Sequence, residues 1–463
     1  MTNLSALLRA DKNEAAIPIH LVDKKTFEPW LKDQPERVRQ AVGAQGFKAE
    51  GYQIATLPGE TSSLWSAVLG VAKVDDLSVW CLSKAAEALP EGLYRVAGRG
   101  PGPAMLGWLL GQYRFDRYKK EPSKKGPRIL LTDDPSRIAE TLLQAEATAL
   151  VRDLVNIPAG DLGPLELEAA VAEVAKDCSA TLSSTSGPTL DAEYPMVAAV
   201  GRAASCDRGP RLIELEWGDQ RHPRIAIIGK GVCFDSGGLD IKNASGMRLM
   251  KKDMGGAAHA LALALLIMKS RLPVRLHLII PAVENAISGN AFRPGDVIRS
   301  RKGLTVEIGN TDAEGRLVLG DALTRAAEDK PELMIDFATL TGAARVALGP
   351  DLPALFSNND LLAQDLLQAG EAVSDPAWRM PLWKQYEDML KSDIADLGNA
   401  ADSPMAGSVT AALFLQAFVP DGMNWAHFDT FAWRSTSRPG RPKGGDAIGL
   451  RAAWQLLRSR YPA

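Results

Sequence analysis

Seven residues between positions 229 and 316 have the types and settings that could do chemistry: Lys230, Asp235, Lys242, Asp253, Asp312, Glu314 and Arg316. They fall in three runs, GKGVCFDSGGLDIK, MKKDMGG and NTDAEGRL, each beside a strand end, a turn or glycines. Oxygen-rich ligand sets suit Mg, Mn or Zn. Three aspartates and one glutamate so placed point to carboxylates gathered around divalent cations. Two lysines and an arginine among them point to a site that also handles an anion or a polarised carbonyl. Histidine is missing from all three runs, so a histidine-based zinc centre is not supported. The combination fits a hydrolytic metalloenzyme.

Taken one at a time, each acid could simply cap a helix or turn, since aspartate is a favoured cap residue. The set reads differently. Asp312 and Glu314 are two apart just past an expected strand, and in extended chain such side chains share a face. Two carboxylates on one face repel unless a cation lies between them or one is protonated. Asp235 precedes Ser236-Gly237-Gly238, where the chain must turn tightly, and Asp253 precedes Met254-Gly255-Gly256 and an expected helix. Lys230 follows the apolar run RIAIIG, so it is expected to be desolvated, with a lowered pKa, and a neutral amine can bind a metal. GKG is not a phosphate-binding loop, because GxxxxGK[ST] is absent. Lys242 could polarise a scissile carbonyl and hold a developing oxyanion. Arg316 could grip a small oxyanion at two points, or fork onto Asp312 or Glu314. His259 lies in an apolar helical run with no second ligand at i+4 and reads as structural.

These residues need elements to hold them. After position 160, β-rich runs at 224–228, 274–280, 304–308 and 333–337 alternate with helical runs at 255–269 and 317–329. This predicts a mostly parallel or mixed sheet covered by helices on both faces, with sites at the carboxyl ends of strands. A helix is predicted over 136–155, with Asp134 as a candidate N-cap, Pro135 in its first turn, and Asn156 and Pro158 ending it. A helix of about 20 residues is about 30 Å long, enough to bridge two domains. Before it, strands are expected at 17–22, 77–81 and 128–131 and helices at 62–69 and 102–111. The basic run 114–128, with Pro122, Gly126 and Pro127, reads as a solvated turn. The organisation is α/β in two domains: a smaller N-terminal α/β domain (1–133), a linker helix (134–158) and a larger C-terminal catalytic domain (159–463).

The chain has 463 residues, 46% apolar and 24% charged, as in soluble globular proteins. Its formal charge of -3 gives no global pull toward nucleic acid or anionic lipid. Cys81, Cys178, Cys206 and Cys233 lie far apart, without zinc or disulfide spacing. The N-terminal run MTNLSALLRADKNEAA is charged where a signal peptide is apolar, and the longest apolar stretch, 260–268, is too short to span a bilayer. A cytoplasmic protein with no membrane or nucleic-acid partner is expected.

NTDAEGRL, GKGVCFDSGGLDIK and KKDMGGAA resemble the leucyl aminopeptidase (cytosol aminopeptidase) family of dinuclear metallopeptidases. NAISGNAFRPGDV, ATLTGAARVALG, SPMAGSVTAALFL and WAHFDTFAW extend the resemblance over roughly residues 150–455. It implies a macro-like N-terminal domain and a homo-hexamer acting on peptides. It further implies two divalent metal ions per subunit, Mn or Zn with Mg also admitted. Asp235 and Glu314 would bridge the ions. Asp312 would bind one of them, and Lys230 and Asp253 would complete the other, more exchangeable site. Lys242 would meet the substrate carbonyl, and Arg316 would hold a bicarbonate that takes a proton from a bridging water. The side-chain pocket would lie near Met250, Asn310, Ala313, Thr339 and Gly342, with backbone groups at Leu340 touching substrate. One metal would bind the free α-amino group, so the implied activity is release of N-terminal, leucine-like residues with broad preference. The stretch DTFAWRS at 429–435 departs from the smaller residues usual there and borders the pocket. Two other readings stay open: a dipeptidase specialised for a thiol dipeptide, and a DNA-binding or scaffold protein retaining the peptidase fold.

Overall fold

The computed structural model describes residues 3–61, 63–121 and 125–462. Two units divide the chain: Met1–Ala149 with Ser435–Lys443, and Leu150–Arg434 with Gly444–Ala463. Both are α/β.

The first unit is built on a six-stranded sheet of β1 (Leu8–Ala10), β2 (Ile17–Val22), β3 (Ile54–Pro58), β4 (Trp65–Gly70), β5 (Gly92–Val96) and β6 (Arg128–Thr132). The order is β1-β6-β5-β2-β4-β3, all parallel except the β3–β4 pair. Two sequence expectations fail here. The run expected to be helical at 62–69 contributes β4, with Ser62 outside the described residues. WSAVLG is apolar toward both sheet faces, so it shows no two-residue alternation to separate it from a buried helix. The run 77–81, expected as a strand, is a turn leading into the helix Ser83–Ala88. Its backbone packs on the helix Ala104–Leu110, where a Cβ on Gly107 would lie 2.1 Å from the Val79 carbonyl oxygen. The described part of the basic run is exposed or half-buried, apart from Arg128 (Pro122 lies outside the described residues). Arg128 is buried, its Nε donating to the Ala86 carbonyl at 2.8 Å and its Nη1 to the Gly126 carbonyl at 2.6 Å.

The long helix runs Ile138–Asn156 after a 3-10 turn at Pro135–Arg137. Asp134 does not cap it by a side-chain hydrogen bond to the backbone; its carboxylate accepts from Ser136 Oγ at 2.5 Å.

In the second unit the strands include β7 (Thr181–Ser186), β8 (Arg211–Trp217), β9 (Arg224–Gly229), β10 (Gly231–Asp235), β11 (Arg275–Asn285), β12 (Val297–Arg299), β13 (Thr305–Glu307), β14 (Leu333–Ala338), β15 (Ala354–Ser357), β16 (Trp378–Arg379), β17 (Leu397–Gly398) and β18 (Trp425–Asp429). The main sheet has the order β16-β15-β18-β14-β9-β11-β8-β7, with β10 pairing β11 off this path. Its middle, β18-β14-β9-β11, is parallel, and β8 and β15 join antiparallel. The sheet is thus mixed. Alternation along the strands sorts side chains to two faces. Ala226, Ile228, Ile279, Val283 and Met334 share a core with Leu317, Val318, Leu319 and Leu323 of the helix Glu314–Glu328. On the other face Phe337 stacks on His259 of the helix Gly255–Lys269, and a Cβ on Gly229 would lie 2.6 Å from Ala257 Cα. Helices cover both faces, so the free ends of the parallel strands are where polar groups can meet.

Candidate metal centre

The carboxyl ends of β9, β10, β11 and β14 bring the chemical residues together. Lys230 follows β9; its N–H donates to the Phe337 carbonyl at 3.0 Å and its carbonyl accepts from Ala257 N at 2.8 Å. The lysine backbone is thereby tied to a neighbouring strand and to the start of a helix. Asp235 closes β10, and its Oδ1 accepts from Gly237 N and from Asn285 Nδ2, both at 2.9 Å. Gly237 and Gly238 have φ of +90° and +70°, the left-handed region that lets the chain turn back there. Asp253 sits on the 3-10 turn Met250–Met254 that leads into the helix Gly255–Lys269. Asp312 lies in a turn, and Glu314 is the first residue of the helix Glu314–Glu328. The two do not meet on one face of extended chain, as their spacing had implied; a turn running into a helix start brings them together. Carboxylate oxygens of Asp235, Asp312 and Glu314 all lie within 4.8 Å of one another.

Three ammonium groups stand among these acids. Lys230 Nζ lies 2.5 Å from Asp253 Oδ2 and 2.9 Å from Glu314 Oε1. Lys242 Nζ lies 2.9 Å from Asp235 Oδ2 and also pairs with Asp312. Lys252 Nζ holds Asp253 Oδ1 at 2.7 Å. Burial opposes charge on Lys230, but Asp253, Glu314 and Asp235 outweigh it and hold its pKa above the ordinary lysine value. This reverses the lowered value expected from desolvation alone. Burial likewise works against Asp253, yet Lys230 and Lys252 hold it below the usual carboxylate range. Burial and then the charge of Asp235 push Glu314 up to about 8 and Asp312 up to about 6.

These acids fit metal ions. A group of carboxylates that burial and mutual repulsion keep from ionising fully is what a divalent cation relieves. Asp253 Oδ2 and Glu314 Oε1 are buried and, apart from the ion pair to Lys230, have no hydrogen-bond donor. A second triad, Glu216, His277 and Asp329, also brings its ligand atoms within 4.8 Å. There Arg224 pairs with both Glu216 and Asp329, and Arg325 Nη1 reaches Asp329 at 3.0 Å. Guanidinium groups already neutralise that triad, which reads as an ion-pair network.

A cavity of about 560 Å³ opens over the acids. Lys230, Asp235, Lys242, Asp253, Asp312, Glu314 and Arg316 line it, as do Met250, Asn310, Ala313, Thr339, Leu340 and Gly342. Among the described residues Arg316 forks onto no carboxylate. Its Nη1 donates to the Asn399 carbonyl at 2.7 Å, its Nε is buried without a partner, and burial lowers its pKa to about 10. His259 is structural: Nδ1 bonds the Gly255 carbonyl at 2.7 Å, and Nε2 accepts from Ile448 N at 2.9 Å.

Several residues that position the site escaped the sequence reading. Thr339 Oγ1 donates to Asp253 Oδ1 at 2.9 Å, but Lys252, which holds the same oxygen, stood unremarked beside Asp253. Asn399 accepts from Gly309 N at 2.8 Å and donates to the Asn310 carbonyl at 2.8 Å, bracing the turn that carries Asp312. Asp429 accepts from Leu340 N at 3.0 Å and Thr341 Oγ1 at 2.6 Å. Arg345 and the stretch 400–404 also line the cavity, and Phe431 joins them from the stretch 429–435 that was expected to border the pocket. Asn285 and Asp429 stood inside conspicuous motifs, but no spacing rule ties any of these residues to the acids.

Buried acids and amines gathered at the strand ends of a two-faced α/β sheet, beneath an open cavity, define a metal-dependent hydrolase. Residues 149–453 match the cytosol aminopeptidase family catalytic domain, and 17–131 match the M17 aminopeptidase N-terminal domain. A probable cytosol aminopeptidase of Syntrophotalea carbinolica is 42% identical over 368 residues, 76% of this chain and 73% of the relative. The crystal structure of the cytosol aminopeptidase from Coxiella burnetii superposes with a TM-score of 0.93 at 46% identity, covering 98% of this chain and 99% of that one. The bottromycin maturation enzyme BotP in complex with Mn gives a TM-score of 0.86 at 32% identity, covering 97% of this chain and 100% of that one. The chain belongs to the cytosol aminopeptidase family. It is a metal-dependent aminopeptidase, a hydrolase of the metalloexopeptidase type.

Proposed function

We propose that Lys230, Asp235, Asp253, Asp312 and Glu314 hold two divalent cations, and that the protein uses them to release N-terminal residues from peptides. The observation that carries this reading is the approach of Asp235, Asp312 and Glu314 within 4.8 Å, with the buried Lys230–Asp253 pair adjoining. Mn or Zn suits this donor set, with Mg also admitted; the Mn in the BotP complex supports Mn. When bound, the ions supply Lewis acidity toward the scissile carbonyl and acidify water.

The chain's own groups do the rest. Lys242 carries an ammonium held charged by Asp235 and Asp312 against the cost of burial, and it donates to the carbonyl oxygen as negative charge develops there. Arg316, with its free Nε, would hold a bicarbonate, which would supply a proton acceptor there. Leu340 has its N–H engaged by Asp429, which leaves its carbonyl for the substrate backbone. Met250, Asn310, Ala313, Thr339 and Gly342 enclose the first side chain.

A cytoplasmic homo-hexamer accompanies this reading. The cytosolic designation of the relatives supports the location. Exposed apolar side chains such as Val346 and Met405 are surfaces that further copies would cover. No helix among the described residues is long and apolar enough to cross a membrane. The thiol-dipeptidase and DNA-binding readings are not favoured by the relatives. The decisive experiment is hydrolysis of leucine p-nitroanilide, expected to vanish on chelation and return with Mn or Zn. Metal-loaded protein with no turnover on any N-unblocked peptide would overturn the proposal.

A further inference from the structure

Among the described residues, one cation on the cavity wall has neither a hydrogen-bond nor an ion-pair partner. Arg345, on the helix Gly342–Leu348, lays its guanidinium against the ring of Phe431, with Cζ 4.5 Å from the ring centroid. Its Nη2 turns back over Gly342, where a Cβ would come within 3.4 Å of it. Among the described residues Arg345 makes no hydrogen bond and no ion pair. Lys252, whose Nζ lies 5.9 Å from the same ring, is different: its charge is taken up by Asp253 at 2.7 Å. Arg345, Phe431 and Gly342 all line the cavity that holds the carboxylate cluster.

A guanidinium has five donors in a fixed plane and no acceptor, and stacking on an aromatic ring fixes that plane. The ring faces one side of the guanidinium and satisfies none of its N–H groups. Its edge is free to fork onto a carboxylate with two parallel hydrogen bonds. An aliphatic side chain in the same place covers the group and leaves it unpaired, and a neutral amide offers only one acceptor oxygen.

We infer that the Arg345–Phe431 stack is a specificity device that favours substrates whose first residue bears a carboxylate, aspartate or glutamate. This rests on the aminopeptidase reading and gives its substrate class. The carboxylate could also come from the C-terminus of a short peptide, and the experiment separates the two sources.

With metal-loaded protein, kcat/KM is compared for glutamyl and glutaminyl p-nitroanilide, which share their shape and lack a C-terminal carboxylate. Leu-Leu and its C-terminal amide form the second pair. The expected result is a glutamyl preference of about tenfold or more, the size of a charge-assisted hydrogen bond. Arg345→Met should collapse that ratio toward one, Arg345→Lys should keep part of it, and Arg345→Glu should turn the preference toward lysyl p-nitroanilide. Calorimetry of free glutamate against free glutamine gives a readout without turnover, with glutamate binding tighter and the difference lost in Arg345→Met. A glutamyl ratio near one, or a ratio unchanged in Arg345→Met, overturns the inference. So does discrimination confined to the Leu-Leu pair, which would assign Arg345 to the peptide terminus. If no N-unblocked substrate is hydrolysed, the aminopeptidase reading itself fails, and the calorimetric comparison still decides what Arg345 holds.

Discussion

Gly315 lies directly against the Lys230 side chain: a methyl group on its α-carbon would sit 2.5 Å from Lys230 Cε and 2.6 Å from Nζ. The glycine follows Glu314, and its bare surface lets the lysine reach both Glu314 and Asp253. Gly315→Ala should therefore push the amine away from one of the two proposed ions. The expected outcome is a loss of about tenfold or more in metal affinity, in the range seen when groups that orient ligands are disturbed. Metal content after dialysis, read beside leucine p-nitroanilide turnover, checks this. Wild-type metal retention would show that the lysine has room to move.

Asp312→Ala and Glu314→Ala each remove a carboxylate from the proposed ligand set, Glu314 as a bridge and Asp312 as a ligand to one ion, and metal and activity should disappear together in both. Elemental analysis of the purified variants and the same turnover assay measure the two losses. Wild-type activity in both variants would contradict the ligand assignment.

Asp446 lies in the second unit between two arginines. Its Oδ1 accepts from Arg152 Nε at 3.0 Å and Nη2 at 2.8 Å, and Oδ2 pairs with Arg434. Removing one member of such a buried network leaves uncompensated charge, at a cost of about 3–5 kcal/mol. Asp446→Ala should lower unfolding stability by about that amount, read from urea midpoints. Burial alone would raise its pKa, but Arg152 and Arg434 outweigh this and depress it. Its contribution is therefore present above the ordinary aspartate value and is lost as pH falls through the lower folded value. The gap between wild type and variant should narrow in acid.

His427 gives the opposite sign. Burial opposes its charge, yet Asp336, whose Oδ1 lies 2.6 Å from Nδ1, raises its pKa. Its contribution is complete below the unfolded value of about 6.5 and fades as pH climbs through the folded value. The stability difference between wild type and His427→Gln should shrink as pH rises from about 6.5. A difference that stays constant with pH would mean that His427 is neutral throughout.

Much of this was legible in one dimension because the signals were local. The helix Gly255–Lys269 was read at its observed bounds, since glycines open it and an unbroken apolar run fills it. The strand β9 was marked by RIAIIG. The strand β4 was missed because its side chains are buried on both faces, and short apolar runs of that kind carry no period. The direction of the Lys230 shift was misread because desolvation belongs to one residue, whereas the carboxylates that outweigh it arrive from 23 and 84 positions away along the chain.

The sequence by itself determined which side chains could do chemistry and how each sits against its own turn, strand end or helix start, because those preferences act over a few neighbouring residues. Only the tertiary structure decided that Asn399 braces the turn at Asp312, that Asp429 engages Leu340, and that Arg345 lies unpaired on Phe431. Those relations join segments tens of residues apart, and their distances are set by how strands register and helices pack.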